Sequence, residues 1–234
     1  MIRPIGHSTP YSFLDENDIM RAKPFLQYLQ AYYNPQTAAF LADTPDIRGG
    51  WEVWLQVEIA RTFVSLNQNW ICERELPYPS GNLFNPYLTY DADDGLAPVG
   101  TTSNARYAAR CDFFLYRKES ISIADETYIE LKCINPSVQY PHRDAWTRFK
   151  KDVIKIQALQ KANKQLNCIA LLATSGVFNK DAVGGENPGL AWFWNQDEGR
   201  VAYVWDPTQN AVTTLQNVAL DGSGRFFIVA VAIT

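Results

Sequence analysis

The chain has 234 residues, of which 47% are hydrophobic and 20% charged, and its formal net charge is −4 at pH 7. These values are typical of a globular protein with a substantial core, and we expect one domain over residues 1–234. No apolar run approaches the about 20 residues of a membrane span, and the N-terminus lacks the apolar stretch of a secretory signal. Four scattered cysteines without a C-x-x-C pair indicate reduced thiols in a cytoplasmic protein, rather than a disulfide framework or a zinc site.

The N-terminal part is predicted to be mainly helical. Pro24 and Pro35 interrupt the first helical pattern, because proline lacks the backbone N–H that a helix interior needs. A stronger helical pattern runs from Trp51 to Leu66. Residues 77–106 are rich in Pro, Gly and Asn, which predicts a long loop. The predicted elements of this part are helices over 18–33, 36–41 and 51–66 and a strand over 70–76.

Two β-rich runs within residues 109–134 carry the side chains with the most chemical information. The first contains Asp112, and the second contains Glu130, Leu131 and Lys132 in succession. Since side chains alternate along a strand, Glu130 and Lys132 are predicted to share one face while Leu131 enters a core. If the runs pair as a hairpin, two carboxylates approach and repel each other unless a cation such as a divalent metal ion lies between them. The same alternation predicts one shared side for Arg110, Asp112, Phe114 and Tyr116.

The C-terminal half is predicted to combine one basic helix with several strands. Asp144 is suited to cap a helix over about 145–165, in which apolar residues fall at helical spacing. Residues 143–164 contain seven basic and two acidic side chains, so the local charge is +5 and the rest of the chain carries −9. A continuous apolar run over 168–174 indicates a buried strand. Further strands are predicted over 191–194, 201–205, 211–215 and 226–233.

This succession of elements and residues resembles the PD-(D/E)xK nuclease superfamily. The matching positions are Glu58 on the 51–66 helix, Asp112 on one strand, and Glu130 and Lys132 on the next. The resemblance covers about residues 50–175, with 1–49 as a helical extension and 190–234 as a β-rich C-terminal part. It implies an α/β (α+β) fold of the restriction-endonuclease type, in which helices flank a central mixed sheet with extra C-terminal strands.

The resemblance also implies an activity, namely divalent-metal-dependent endonucleolytic hydrolysis of DNA phosphodiester bonds. Asp112 and Glu130, with the backbone carbonyl of Leu131, would bind Mg²⁺ or Mn²⁺, and Glu58 would bind the ion through water or support a second ion. Lys132 would position the attacking water and help to deprotonate it. Many enzymes of this kind act as homodimers, so a homodimer is an expectation from the family alone. The basic helix suits contacts with the nucleic-acid backbone through Arg148, Lys151 and Lys155.

Alternatives remain open at each level. Glu58 is able to pair with Arg61, three residues on, and Glu130 with Lys132 as an ordinary surface ion pair. The acidic overall balance motivates a second hypothesis, a catalytically inactive nuclease-fold module of the binding or immunity type. An RNase is a third hypothesis, because phosphodiester chemistry at such a site does not identify the sugar. A histidine metal cluster is excluded, since the chain contains only two histidines, His7 and His142.

Overall fold

The structure of the chain is a computed structural model. The structure describes residues 21–43, 51–66, 69–81, 83–84, 86–91, 95–98, 108–119, 126–134, 143–176, 188–194, 201–218 and 225–232. The predicted start of the first helix at residue 18 lies outside these ranges, as do both histidines.

Helices come first along the described chain, and strands predominate later. The helices are α1 (Ala22–Tyr32), α2 (Gln36–Asp43), α3 (Trp51–Leu66), α4 (Arg143–Ala162) and α5 (Pro188–Trp194). The strands are β1 (Trp70–Arg74), β2 (Leu88–Asp91), β3 (Gly95–Pro98), β4 (Phe113–Arg117), β5 (Glu126–Ile134), β6 (Cys168–Gly176), β7 (Ala202–Asp206), β8 (Ala211–Thr214) and β9 (Arg225–Ala232). None of the helices described is long and apolar enough to cross a membrane.

Seven strands form one mixed sheet in the order β1-β4-β5-β6-β9-β7-β8, while β2 and β3 pair as a separate hairpin. Within the sheet, β5 and β6 are parallel and the other neighbours are antiparallel. A parallel pair needs a long crossover connection, and α4 lies in the crossover from β5 to β6. The C-terminal strands β7 to β9 therefore extend the same sheet that carries the motif strands β4 and β5.

Each face of the sheet is covered by a hydrophobic layer. Helices α1 to α3 pack on one face, where Ile59 of α3 and Leu131 of β5 are fully buried. Helices α4 and α5 pack on the other face, where Phe149 of α4 and Leu172 of β6 are fully buried. The mixed sheet flanked by helices is thus confirmed, and so is the predicted alternation that sends Leu131 into a core and Glu130 to the opposite face.

Most of the predicted elements are confirmed with bounds that shift by a few residues. The 51–66 helix and the strands near 201–205, 211–215 and 226–233 are present, and α4 begins and ends two to three residues earlier than expected. The predicted loop over 77–106 is wrong in one respect, because it contains the hairpin of β2 and β3.

The predicted strand over 191–194 is wrong, since these residues form the end of α5. Leu190 and Phe193 are spaced by three and are both buried against α4, so the apolar period is helical rather than alternating. Gly189 permits the close approach of the two helices, because a Cβ there would lie 2.8 Å from the backbone N of Thr147. The helix begins at Pro188, a residue that favours the first helical position.

Candidate active site

The candidate site is built where β5 runs past the start of β4. The two strands pair from Glu126 up to Ile129, which lies opposite Phe113, and β5 then continues to Ile134. Beyond Ile129, β5 is no longer paired with β4, so the backbone N–H and C=O groups of every second residue of β5 face a side that β4 does not cover. Carboxylate side chains occupy that side. Oδ2 of Asp112 accepts a hydrogen bond from Leu131 N at 2.6 Å.

Glu52, in the first turn of α3, fills the next position along this edge. Its Oε2 accepts a hydrogen bond from the backbone N of Cys133 at 2.9 Å. Leu131 lies between the two bonded amides, and the geometry of a strand directs its carbonyl to the same edge as its N–H. Two carboxylates and one carbonyl oxygen therefore face the same space beside β5.

The orientation of Asp112 differs from simple strand alternation. Asp112 N donates to Ile129 O at 3.0 Å although Phe113 is the residue opposite Ile129, so the ladder shifts by one residue here. As a result, Cys111 and Phe114 pack in the same layer against α4, while Phe113 packs on the α1–α3 face. The predicted shared side for residues 110, 112, 114 and 116 is therefore wrong at its N-terminal end. The shift aims the Asp112 carboxylate along the sheet toward Leu131.

Glu130 is buried on the α4 face, with only 6% of its surface exposed. Its Oε1 accepts two hydrogen bonds, from Tyr78 Oη and from Lys155 Nζ, each at 2.6 Å. Burial, and then the charge of Glu130, raise the pKa of Tyr78 well above its ordinary value, so the phenol keeps the proton that it donates. Lys155 gives the buried carboxylate a counter-charge that its burial requires.

Lys132 lies between two further carboxylates. Its Nζ is 3.7 Å from Oε2 of Glu52 and 3.9 Å from Oδ2 of Asp152, a residue of α4. Burial acts to lower the pKa of Lys132, but Asp152, Glu52 and the other nearby acids outweigh it and hold the pKa above its usual value. The side chain is therefore an ammonium group with acids on both sides.

We call these six residues the acid–lysine cluster: Glu52, Asp112, Glu130, Lys132, Asp152 and Lys155. With every group ionised, four carboxylates and two ammonium groups leave a net charge of −2. Burial first, and then Glu130, raise the pKa of Asp112 to about 7, although the bond from Leu131 N opposes this. Burial also raises the pKa of Asp152 to about 6, against the attraction of Lys132. Burial is thus the largest cause of both shifts, and for Asp112 the charge of Glu130 adds to it.

The donor set fits a divalent cation in its chemistry and in its charge. Carboxylate and carbonyl oxygens are the ligands that Mg²⁺ and Mn²⁺ prefer, and a double positive charge would match the surplus of the cluster. In the part of the chain that the structure describes, however, no three His, Cys, Asp or Glu side chains converge on a point where they could hold a metal ion. The partners that the carboxylates have in this arrangement are Tyr78, Lys132, Lys155 and the backbone amides of Leu131 and Cys133.

Glu58, the glutamate expected at the site, lies elsewhere on α3. Its Oε1 is 3.6 Å from Nη1 of Arg61, and it lines an open groove with Tyr33 and Thr62. None of its described contacts reaches the acid–lysine cluster. Six residues rotate the helix by about 600°, so the side chains at positions 52 and 58 leave the axis about 120° apart. Glu52 thus makes the contact with the lysine strand that was expected of Glu58.

The three basic residues proposed for nucleic-acid contacts separate into two groups on α4. Arg148 and Lys151 are exposed. Lys155 turns inward, with 18% of its side chain exposed, and bonds Glu130. Lys151 and Lys155 are four residues apart, but the helix lies on the sheet in such a way that only the first of them faces solvent.

Three residues of the site were missed by sequence reasoning, and two of them had a signal. Glu52 lies seven residues before the fully buried Ile59, and Asp152 lies four before the fully buried Ile156, so both are near the inward face of their helices. Tyr78 had no such signal, because its position beside Glu130 depends on long-range contacts. Its backbone bonds to Ala109 and Leu88, which lie in separate segments of the chain.

Comparison of the chain with protein-family models, with curated proteins and with solved structures gives no match.

Proposed function

We propose that the chain is a divalent-metal-dependent endonuclease that hydrolyses phosphodiester bonds of DNA, with a core of the restriction-endonuclease type. The observation that supports this most is that Asp112, bonded to Leu131 N at the β4 side of β5, lies close enough to Glu130 and Lys132 for their charges to act on it. Glu52 joins them from α3 through its bond to Cys133 N and its proximity to Lys132. A site of this kind needs acidic oxygen ligands and a cation donor within one small space, and these residues supply both.

Asp112, Glu130 and the carbonyl of Leu131 are the residues that would hold Mg²⁺ or Mn²⁺, with Glu52 near enough to support them. The chemistry that such an ion supplies is polarisation of a phosphate oxygen and compensation of the charge that develops on phosphorus. With every carboxylate ionised, the net charge of −2 in the cluster favours the entry of a dication over that of a monovalent ion.

Lys132 supplies the second part of the chemistry. Its Nζ forms ion pairs with Glu52 and Asp152, and the same group is suited to orient an attacking water and to stabilise negative charge on the phosphate. In the metal-free protein the raised pKa keeps Lys132 an ammonium group, the form that donates hydrogen bonds.

Substrate contact is assigned to the exposed side chains of Arg148 and Lys151. They lie one to two turns before Lys155 on α4, the helix that supplies Lys155 and Asp152 to the cluster. Phosphate contacts of this kind position a nucleic acid without selecting its sequence.

The test is cleavage of supercoiled plasmid DNA in Mg²⁺ or Mn²⁺. We expect nicking or cutting by the wild-type protein, and Glu130→Gln and Lys132→Met should each lower the rate on the order of 1,000-fold. Lys164→Met is the matched control, because it removes an exposed ammonium group outside the cluster. Undiminished cleavage by both cluster variants would contradict the assignment. Matched DNA and RNA substrates of one sequence identify the sugar that is preferred.

Two observations favour a second candidate, a catalytically inactive nuclease-fold binding module. Lys155 already neutralises Glu130, and the described acids do not converge on one point. Calorimetry separates the two candidates. Binding of Mn²⁺ to the wild-type protein, weakened in Asp112→Asn, supports the nuclease, whereas the absence of binding at millimolar Mn²⁺ supports the module.

A further inference from the structure

We propose that Tyr78 and Lys155 are positioning residues, which fix one oxygen of Glu130 so that the other oxygen is presented to the metal ion. This inference rests on the proposed function, because it assigns a role to the surroundings of a carboxylate that binds metal. Neither residue belongs to the acid, acid and lysine pattern that the sequence shows.

The bonds to Glu130 are made at one oxygen. Tyr78 Oη and Lys155 Nζ both bond Oε1, at 2.6 Å each. The second oxygen, Oε2, accepts no hydrogen bond from any residue that the structure describes. A carboxylate held by one oxygen from two directions cannot rotate freely about its terminal torsion, so the direction of Oε2 is determined as well.

Tyr78 is itself fixed by the backbone on both sides. Its N donates to Ala109 O at 3.0 Å, and its carbonyl accepts from Leu88 N at 2.9 Å. The ring is fully buried and lies 5.1 Å from the ring of Tyr128. The hydroxyl group therefore reaches Glu130 from a position that packing and backbone hydrogen bonds determine.

Lys155 is fixed from three directions. In addition to Glu130, its Nζ donates to the carbonyl of Arg110 at 3.1 Å, and it lies over the ring of Tyr78, 5.6 Å from the ring centre. A lysine held by a carboxylate, a carbonyl and an aromatic face has little conformational freedom left. The two donors also contact each other, so they act on Glu130 as one unit.

This arrangement is that of a metal site whose ligand is oriented by a second layer of hydrogen bonds. Loss of such a bond lowers metal affinity by about 10- to 100-fold in known metal proteins, because the ligand then loses its orientation. A purely structural role for Tyr78 would change stability but would not change metal affinity through Glu130.

The experiment measures Mn²⁺ affinity by calorimetry and by electron paramagnetic resonance. Tyr78→Phe removes only the hydroxyl group, and we expect it to weaken Mn²⁺ binding about 10-fold. Tyr128→Phe is the matched control, because it makes the same change in the neighbouring ring, whose hydroxyl group makes no hydrogen bond to Glu130; its affinity should equal that of the wild type. In a Glu130→Gln background, Tyr78→Phe should have no further effect on Mn²⁺ binding.

A second variant tests the same role if Tyr78→Phe fails to fold in EDTA. Lys155→Arg keeps the charge but changes the reach and shape of the donor, so weaker Mn²⁺ binding reports on geometry alone. Wild-type affinity in both variants overturns the positioning role and leaves the proposed nuclease intact. A wild-type protein that neither binds Mn²⁺ nor cleaves DNA overturns the proposed function itself.

Discussion

Helices α3 and α4 each carry charged side chains on two faces, and the two faces behave differently. Facing the sheet, Glu52 bonds Cys133 N and Lys155 bonds Glu130, so each contact crosses from a helix to β5. Elsewhere on α3, Glu58 is about as exposed as Glu52, at 28% and 31% of the side chain, but its described ion pair is with Arg61, one turn away. The contacts of Glu52 and Lys155 thus connect separate parts of the fold, whereas the Glu58–Arg61 pair connects a helix to itself.

Charge alone therefore does not identify the site. Partly buried charges lose part of their hydration, and burial accordingly raises the pKa of Asp152 to about 6. A pair that is largely exposed contributes little to stability and responds to salt, which is the expectation for Arg61 with 71% of its side chain exposed. Helix phase decides which of the two environments a residue enters.

The most direct test of this contrast replaces each of the two glutamates Glu52 and Glu58 of α3 by glutamine, in separate variants. Glu52→Gln removes a negative charge beside Lys132, and we expect it to lower the rate of plasmid cleavage about 100-fold. Glu58→Gln makes the same change outside the cluster and should alter the rate less than about 2-fold. Equal losses in both variants would show that the distinction between the faces has no bearing on catalysis.

A smaller effect is expected in the pH dependence of stability without metal. The pKa of Asp152 is about 6 in the folded protein, above the ordinary value of 3.8 that we take for the unfolded chain. A carboxyl group whose folded pKa is raised holds its proton more tightly when folded, so its contribution to stability falls as pH rises through this range.

Between about pH 4.5 and pH 7.5, the free energy of unfolding of Asp152→Asn should therefore rise by about 2 kcal/mol relative to that of the wild type. Urea unfolding in EDTA at several pH values measures this difference. A constant difference between the two proteins would mean that the inward acid titrates like an exposed one.

The smallest effect is expected on the outer face of α4. In the Glu130→Gln protein, which is not expected to cut DNA, Arg148→Gln with Lys151→Gln should weaken duplex binding. The dependence of log affinity on log salt should become shallower by about 2, one for each lost phosphate contact. The control is Lys161→Gln with Lys164→Gln, which changes two exposed lysines at and just beyond the C-terminal end of α4. An equal change in both pairs would indicate a general charge effect rather than a contact surface.

Much of the local structure could be predicted from the sequence, because its signals lie within a few residues of one another. The alternation of Leu131 with Glu130 and Lys132 predicted their opposite faces, and the helical spacing between Trp51 and Leu66 predicted α3. The prediction of a strand over 191–194 was wrong, because three aromatic residues in a row have no clear hydrophobic period. Contact with α4 determined that this segment is a helix. The placement of Asp112 depended on a one-residue shift in the ladder, which no local pattern reveals.

Residue types and their local spacing were enough to predict candidate site residues: an aspartate, then a glutamate and a lysine on one face of the next strand. The approach of Glu52 rather than Glu58, and the bonds from Tyr78 and Lys155 to Glu130, emerged from the folded structure alone. Alternation and helical spacing are local consequences of backbone geometry, so they can be read along the chain. The selection of partners depends on helix rotation and on contacts between residues such as Tyr78 and Glu130, which are 52 positions apart, and packing alone fixes these.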